Sequence, residues 1–446
     1  MRRMKKYAAI SAIGAMALGS LAACSSDDSG SSNGSSDEGS VYYLNFKPES
    51  EDAWKSVAAK YEEETGVPVK IVTAASGTYE ETLKTELAKS DGPTLFNMNG
   101  PVGYQTWKDY ALDVTNADYT KALTDSSMAV SSDGKIYGVP FATEGYGIIY
   151  NDAIMQKYFA LDGAVVTSID EINNFATLKA VSDDMQAKKD ELGIKGVFAS
   201  TSLASGEDWR WQTHLANYPV YYEYKDLGVQ DSDTLELTYS DNFKNIFDLY
   251  LTDSTIDPAL TGAATVTDSM SEFALGQAAM VQNGNWGWSQ IADVEGNTVQ
   301  EGDIHFLPIY TGVEGEENNG IAIGTENFMT VNSQAPEADQ QASIDFLNWL
   351  FTSDEGTKLV SDELGFIAPF TTFESLAPED PLGKEVVEYM NNDSLTNINW
   401  VFTTFPSQDF KDGLGQQLAQ YAAGQVEWSS VKDYFVSEWA AQKAGN

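Results

Sequence analysis

The chain predicts an α/β protein built as two lobes, and three observations carry that expectation. A strand, a helix and a second strand follow one another within Val41–Val72, the βαβ unit of a parallel sheet. The same alternation continues through a helix over Tyr79–Ala88 and a short strand near Thr94-Leu95-Phe96. Finally, roughly 400 residues remain once a leader and a polar linker are set aside, more than one core usually serves. The composition, 42% hydrophobic and 12% aromatic, supplies sizeable cores.

The elements follow from local chemistry. Val41-Tyr42-Tyr43-Leu44-Asn45-Phe46 is a near-continuous apolar run and reads as a buried strand. Ser50 stands where a helix N-cap is needed, with Glu51 and Asp52 favourably placed in the first turn. Trp54, Val57, Ala58 and Tyr61 recur at helical spacing on one face; Gly66 ends that helix and Pro68 prevents its return. Val69-Lys70-Ile71-Val72 is the second strand. In such sheets ligands sit beyond the carboxyl ends of strands. Those ends are Asn45-Phe46-Lys47, Ser76-Gly77-Thr78 and Asn99-Gly100-Pro101. Farther on, the Asp133-Gly134 turn leads into Lys135–Phe141, and Tyr146–Asn151 is a strand that crosses between lobes. Asp268–Leu275 is a short helix stopped by Gly276; Ala278–Val281 is a strand running into the loop Gln282–Trp288. Ile344, Leu347, Leu350 and Phe351 mark another helix, and Leu414–Trp439 is helical around a break at Gly424.

The amino terminus sets the compartment. Arg2, Arg3, Lys5 and Lys6 precede an apolar, small-residue stretch over Tyr7–Gly19, a secretory signal too short for an ordinary membrane span. Leu21-Ala22-Ala23-Cys24 resembles a bacterial lipobox, which implies cleavage before Cys24, the chain's only cysteine, and lipidation of its sulfur. Residues 1–23 are thus expected as signal peptide and residues 24–40, rich in Ser, Asp and Gly, as a flexible linker. With 67 acidic against 26 basic residues the net charge is −41, which disfavours nucleic acid, anionic lipid and anionic ligands.

Several of these segments carry a family resemblance. Asp133–Phe141 followed by Gly147-Ile148-Ile149-Tyr150-Asn151 resembles the hinge signature of family 1 extracellular solute-binding proteins, the maltose-binding type of ABC-importer receptor. Phe273–Met280 ending in Gly284-Asn285-Trp286 is similar to the family's second signature, and Leu418–Trp439 to its C-terminal helices. The resemblance implies a periplasmic-binding-protein-like fold, each lobe a mostly parallel sheet flanked by helices, closing on a sugar. It places one lobe at 41–143 with 326–375 and the other at 147–324 with 376–446. The partners it implies are a neutral oligosaccharide and ABC permease subunits, with the lipid anchor as the only membrane contact. A monomer without a cofactor is expected.

Sugar chemistry marks the candidate residues. Hydroxyl groups call for directional partners such as Asp, Glu, Asn and Arg, and the C–H faces of the rings call for aromatics. Trp286 is the ring the family stacks on sugar, with Asn285 beside it; Glu144 lies at the crossing turn, where the family places a polar contact. Trp209, Arg210, Trp211, Trp400, Phe402, Asn45 and Glu326 complete the set; for each ring a place in the core competes with a place at the ligand. Asp208 and Arg210 are expected to form a local ion pair, and Trp288 to pack. A surface glycosidase and a glycan adhesin are the competing functions, because carboxylates with aromatics also describe a glycosidase. With Cys24 lipidated no thiol nucleophile remains, and His214 and His305 lack zinc-site spacing. Asp231-Ser232-Asp233 is too incomplete for a calcium loop. No catalytic residue and no metal ligand is therefore assigned.

Overall fold

The computed structural model describes residues 39–75, 77–376 and 378–445; Cys24, the expected signal peptide and most of the expected linker lie outside them. Among the described residues twelve strands follow in chain order: β1 Val41–Asn45, β2 Val69–Thr73, β3 Leu95–Asn99, β4 Val130–Ser132, β5 Lys135–Pro140, β6 Glu144–Asn151, β7 Gly196–Phe198, β8 Ala278–Gly284, β9 Ile304–Leu307, β10 Asn319–Gly324, β11 Asn327–Val331 and β12 Thr396–Asn399. They form two six-stranded sheets, β2-β1-β3-β11-β5-β4 and β12-β10-β6-β8-β7 with β9 added to β6.

Pleating gives each sheet two apolar faces. On the first, Val41, Tyr43, Met329 and Val331 meet Trp54, Val57 and Tyr61 of helix Glu51–Thr65 and Phe346, Leu347 and Leu350 of helix Glu337–Thr352. Each large side chain so buried contributes roughly 1.5–3 kcal/mol. The alternate residues Leu44, Phe96 and Met98 meet Tyr79, Leu83 and Leu87 of helix Tyr79–Leu87. The second sheet repeats the plan, with Tyr146, Ile148 and Tyr150 on one face and Ile149 and Val281 on the other.

The α/β class and paired sheets are as expected, but the sheets are mixed rather than mostly parallel. β1 runs parallel to β2 and β3, whereas β11 runs antiparallel to β3 and β5. In the second sheet β6 is antiparallel to β8, β9 and β10. The cause is the short crossings, β5 to β6 through Phe141-Ala142-Thr143 and β10 to β11 through Thr325-Glu326, which carry the chain between sheets with no helix to reverse it. A third link docks there, where Thr143 N–H donates to the Ile367 carbonyl at 2.7 Å.

Three local expectations need correction. Ser50 holds the N-cap position, yet its hydroxyl donates to the Lys47 carbonyl (3.1 Å) instead of capping the helix. The expected linker reaches Ser40, but Ser40 is already docked: its N–H donates to Asp339 Oδ1 at 2.7 Å. The loop expected over Gln282–Trp288 is mostly structured, since β8 extends through Gly284 and a helix begins at Gly287. No helix among the described residues is long and apolar enough to cross a membrane.

Candidate functional site between the sheets

The carboxyl end of β1 and the crossing into β6 bring opposite charges together. Lys47 Nζ lies 2.6 Å from Glu144 Oε1 and 3.6 Å from Glu49 Oε1. Burial works against the Lys47 charge, but Glu144 and Glu49 outweigh it and hold the amine above its ordinary value. Burial raises Glu144 above the usual carboxylate range against the pull of Lys47. At 2.6 Å the ammonium–carboxylate form is the one the contact fits.

Over this pair stands Trp286. Its ring lies against Gly284, where a Cβ would come within 2.1 Å of it, so only glycine permits the ring to lie flat there. Asn285 fixes the turn to the crossing: its Oδ1 accepts from Gly145 N–H at 3.0 Å, and its own N–H donates to the Gly145 carbonyl. Around the half-buried Trp286 gather Tyr146 and Trp209 (each 6.0 Å between centroids), His214 (5.8 Å) and Trp400 (6.4 Å, near perpendicular). Lys47 Nζ sits 4.9 Å from the Trp286 ring centroid. Beside these groups opens a cavity of about 220 Å³, with Phe366 and Trp288 on its wall and Asp362, Glu363, Glu379 and Asp380 at its margin. Trp288 therefore both packs and faces the cavity.

Unused hydrogen-bonding capacity collects around the ring cluster. Trp400 Nε1, His214 Nε2 and Thr325 Oγ1 are buried without a partner among the described residues. His214 Nδ1 faces the Trp209 carbonyl at 3.5 Å, which assigns the proton to Nδ1 and leaves Nε2 an acceptor. Burial pushes this imidazole down to about 3, so it is neutral. Glu326, at the second crossing, is pushed up to about 7 by burial and by Glu144. Lys411, buried on helix Gln408–Ala422, is lowered by burial against the pull of Glu326 and Glu80.

Of the sequence candidates, Trp286, Glu144, Asn285, Trp209, Trp400 and Glu326 converge here. Four play other parts. Trp211 is a core residue: its Nε1 donates to the Ser202 carbonyl (2.8 Å) and its ring packs on Tyr250 and Phe247. The π-helical turn Arg210–Leu215 aims Arg210 inward as well. Arg210 makes no ion pair with Asp208. Its guanidinium donates to the Gln282 and Ser200 carbonyls and to the Ser202 and Ser269 hydroxyls, and burial lowers it to about 10. Asn45 spends its side chain on its own loop, accepting from Lys47 N–H (3.0 Å) and donating to the Lys47 carbonyl (2.7 Å). Phe402 is buried behind the cluster, against His214 and Trp400. Sequence reasoning missed Lys47, Tyr146, His214 and Lys411 as site residues. For Lys47 the signal was present, since it ends a strand whose carboxyl end was marked; for His214 and Lys411 no local pattern exists.

The family described as bacterial extracellular solute-binding protein matches residues 56–385, and this chain belongs to it. The maltodextrin-binding protein of Bacillus subtilis (strain 168) is 30% identical over 158 residues, 34% of this chain and 36% of that protein. The chain thus matches only about a third of that relative's length (36%). A chitin oligosaccharide binding protein of known structure aligns with TM-score 0.71 at 21% identity over 92% of this chain and 100% of its own. A solute-binding protein in complex with raffinose aligns with TM-score 0.70 at 18% identity over 91% and 99%. At such identities the likeness establishes the fold, the two-lobed architecture of these binding proteins.

Proposed function

We propose that this chain is a lipid-anchored receptor that captures a neutral oligosaccharide between two lobes and delivers it to the permease of an ABC importer. The observation that carries the ligand class is Trp286, half-buried on the cavity wall and near perpendicular to Trp400, with the unpartnered buried Trp400 Nε1 and His214 Nε2 in the ring cluster around it. A ring face takes the C–H surface of a pyranose, while Trp400 Nε1–H donates to its hydroxyls and His214 Nε2 accepts from them. The sugar-binding names of the relatives point the same way. The lobes meet at 142–146, 324–327 and near Ile367, and are taken as 41–143 with 326–375 and 147–324 with 376–446. Closure there suits a ligand that touches both lobes. The anchor at Cys24 places the receptor, a monomer, at the outer face of the cytoplasmic membrane.

One observation favours a second function. Glu326, pushed up to about 7 by burial, interacts with the carboxylate of Glu144, and a glycosidase works with two carboxyl groups. A panel of soluble gluco-, galacto-, xylo- and N-acetylglucosamine oligosaccharides, titrated by calorimetry and followed by mass spectrometry of the recovered sugar, decides between them. Stoichiometric binding with intact sugar is the expected outcome; shortened products would indicate an enzyme, and no binding across the panel would overturn the sugar assignment.

A further inference from the structure

We propose that Lys47 sets the charge of the ligand: its ammonium fills a cation seat formed by the Trp286 face, Glu144 and Glu49, so that the cleft takes uncharged sugars and turns away amino sugars. The inference rests on the oligosaccharide assignment of the same cleft.

The seat has the composition that holds protonated amines. An aromatic face attracts an ammonium through its ring quadrupole, and carboxylates add charge-assisted hydrogen bonds. Lys47 Nζ meets both requirements at once, 4.9 Å from the Trp286 centroid and 2.6 Å from Glu144. Its loop is braced rather than loose. Asn45 holds both the N–H and the carbonyl of Lys47, and the Ser50 hydroxyl donates to the same carbonyl. The side chain is only 6% exposed, so the ammonium is a fixed part of the wall.

Among the described residues lining the cavity Lys47 is also the only cation, beside six carboxylates: Glu49, Glu144, Asp362, Glu363, Glu379 and Asp380. A hexosamine would bring a second ammonium to a seat already filled. Without Lys47 the same seat presents unopposed carboxylates under an aromatic face, and a ligand amine becomes the natural occupant. The lysine therefore separates neutral from cationic sugars, a distinction that aromatic stacking alone does not make.

Two measurements test this, one of them independent of which sugar binds. Lys47→Ala deletes a propylammonium-sized piece, so n-propylammonium chloride should raise the melting temperature of Lys47→Ala and quench its tryptophan fluorescence. It should do neither in the wild type nor in Lys47→Ala/Glu144→Gln. An equal response to n-propanol, or none to the amine, would overturn the cation seat. In parallel, a neutral oligosaccharide from the panel and its 2-amino-2-deoxy counterpart are titrated into wild type, Lys47→Ala and Lys47→Met, which keeps the stem volume. The neutral-to-amino affinity ratio should fall by about tenfold or more in both variants. An unchanged ratio in a folded variant refutes the role of Lys47. Should both single variants fail to fold, Lys47→Gln, which keeps most of the stem and a polar end without the charge, takes their place, and an unchanged neutral-to-amino ratio in it would overturn the proposal. A wild type that binds no sugar, with amine rescue intact, would instead remove the oligosaccharide assignment and leave the seat standing.

Discussion

Replacing Trp286 with alanine removes the platform on which the sugar assignment stands. The ring lies against Gly284, with Tyr146, Trp209 and Trp400 at 6.0–6.4 Å between centroids and Lys47 Nζ over part of it, and its remaining surface lines the cavity. A pyranose packed on that surface takes on the order of 80 Å² of apolar area, its own and the ring's, from water, and ~25 cal/mol per Å² gives about 2 kcal/mol. That is the scale of an aromatic hot spot and corresponds to roughly thirtyfold in affinity. The folding cost should be smaller than the ~3–5 kcal/mol of a core tryptophan, because the ring is half-buried. Calorimetric titration of wild type and Trp286→Ala at 25 °C reads the first quantity, and differential scanning calorimetry without ligand the second. Trp286→Phe, which keeps a smaller face, should fall between. Full affinity in Trp286→Ala, or failure of the variant to fold, would refute the stacking role.

Other outcomes follow from the same geometry. Glu326 is raised to about 7 in the folded chain, so its protonated form favours folding; that contribution is complete below the ordinary carboxylate value and is lost as pH rises through about 7. Thermal unfolding of Glu326→Gln should therefore show a gain over wild type at pH 8 that vanishes near pH 4, and a pH-independent difference would count against it. Arg210→Ala strands two buried carbonyls and two hydroxyls and should cost about 3 kcal/mol of stability while sparing sugar affinity in the folded fraction. Chemical denaturation with calorimetry checks both, and a selective loss of binding would return Arg210 to the ligand. Cys24→Ser should move the protein from the membrane fraction to the medium; undiminished membrane retention on fractionation would contradict the lipid anchor.

Much of the fold was legible because its signals are local. The helical spacing of Trp54, Val57, Ala58 and Tyr61, the stop at Gly66 and the apolar run Val41–Asn45 each report burial of one face. Strand direction was not legible, since nothing within Asn327–Val331 states which neighbours it will join or from which sheet it arrives. The site divides in the same way. Trp286 and Asn285 stand out because glycines flank them, and a ring flattened against backbone needs such glycines nearby. Trp209, Arg210 and Trp211 form an equally conspicuous triplet, yet the π-helical turn sends only Trp209 to the cleft and buries the other two.

The sequence by itself determined the α/β class, the helix and strand periodicities and the aromatic segment at Asn285-Trp286, all consequences of neighbours within a few turns of chain. Tertiary structure alone decided that Lys47 would meet Glu144, that neutral His214 would join the ring cluster, and that Arg210 would be satisfied by carbonyls and hydroxyls. Those pairings join residues far apart in sequence. Their energy comes from desolvation and from partner geometry that exist only once the two sheets have folded around the crossings.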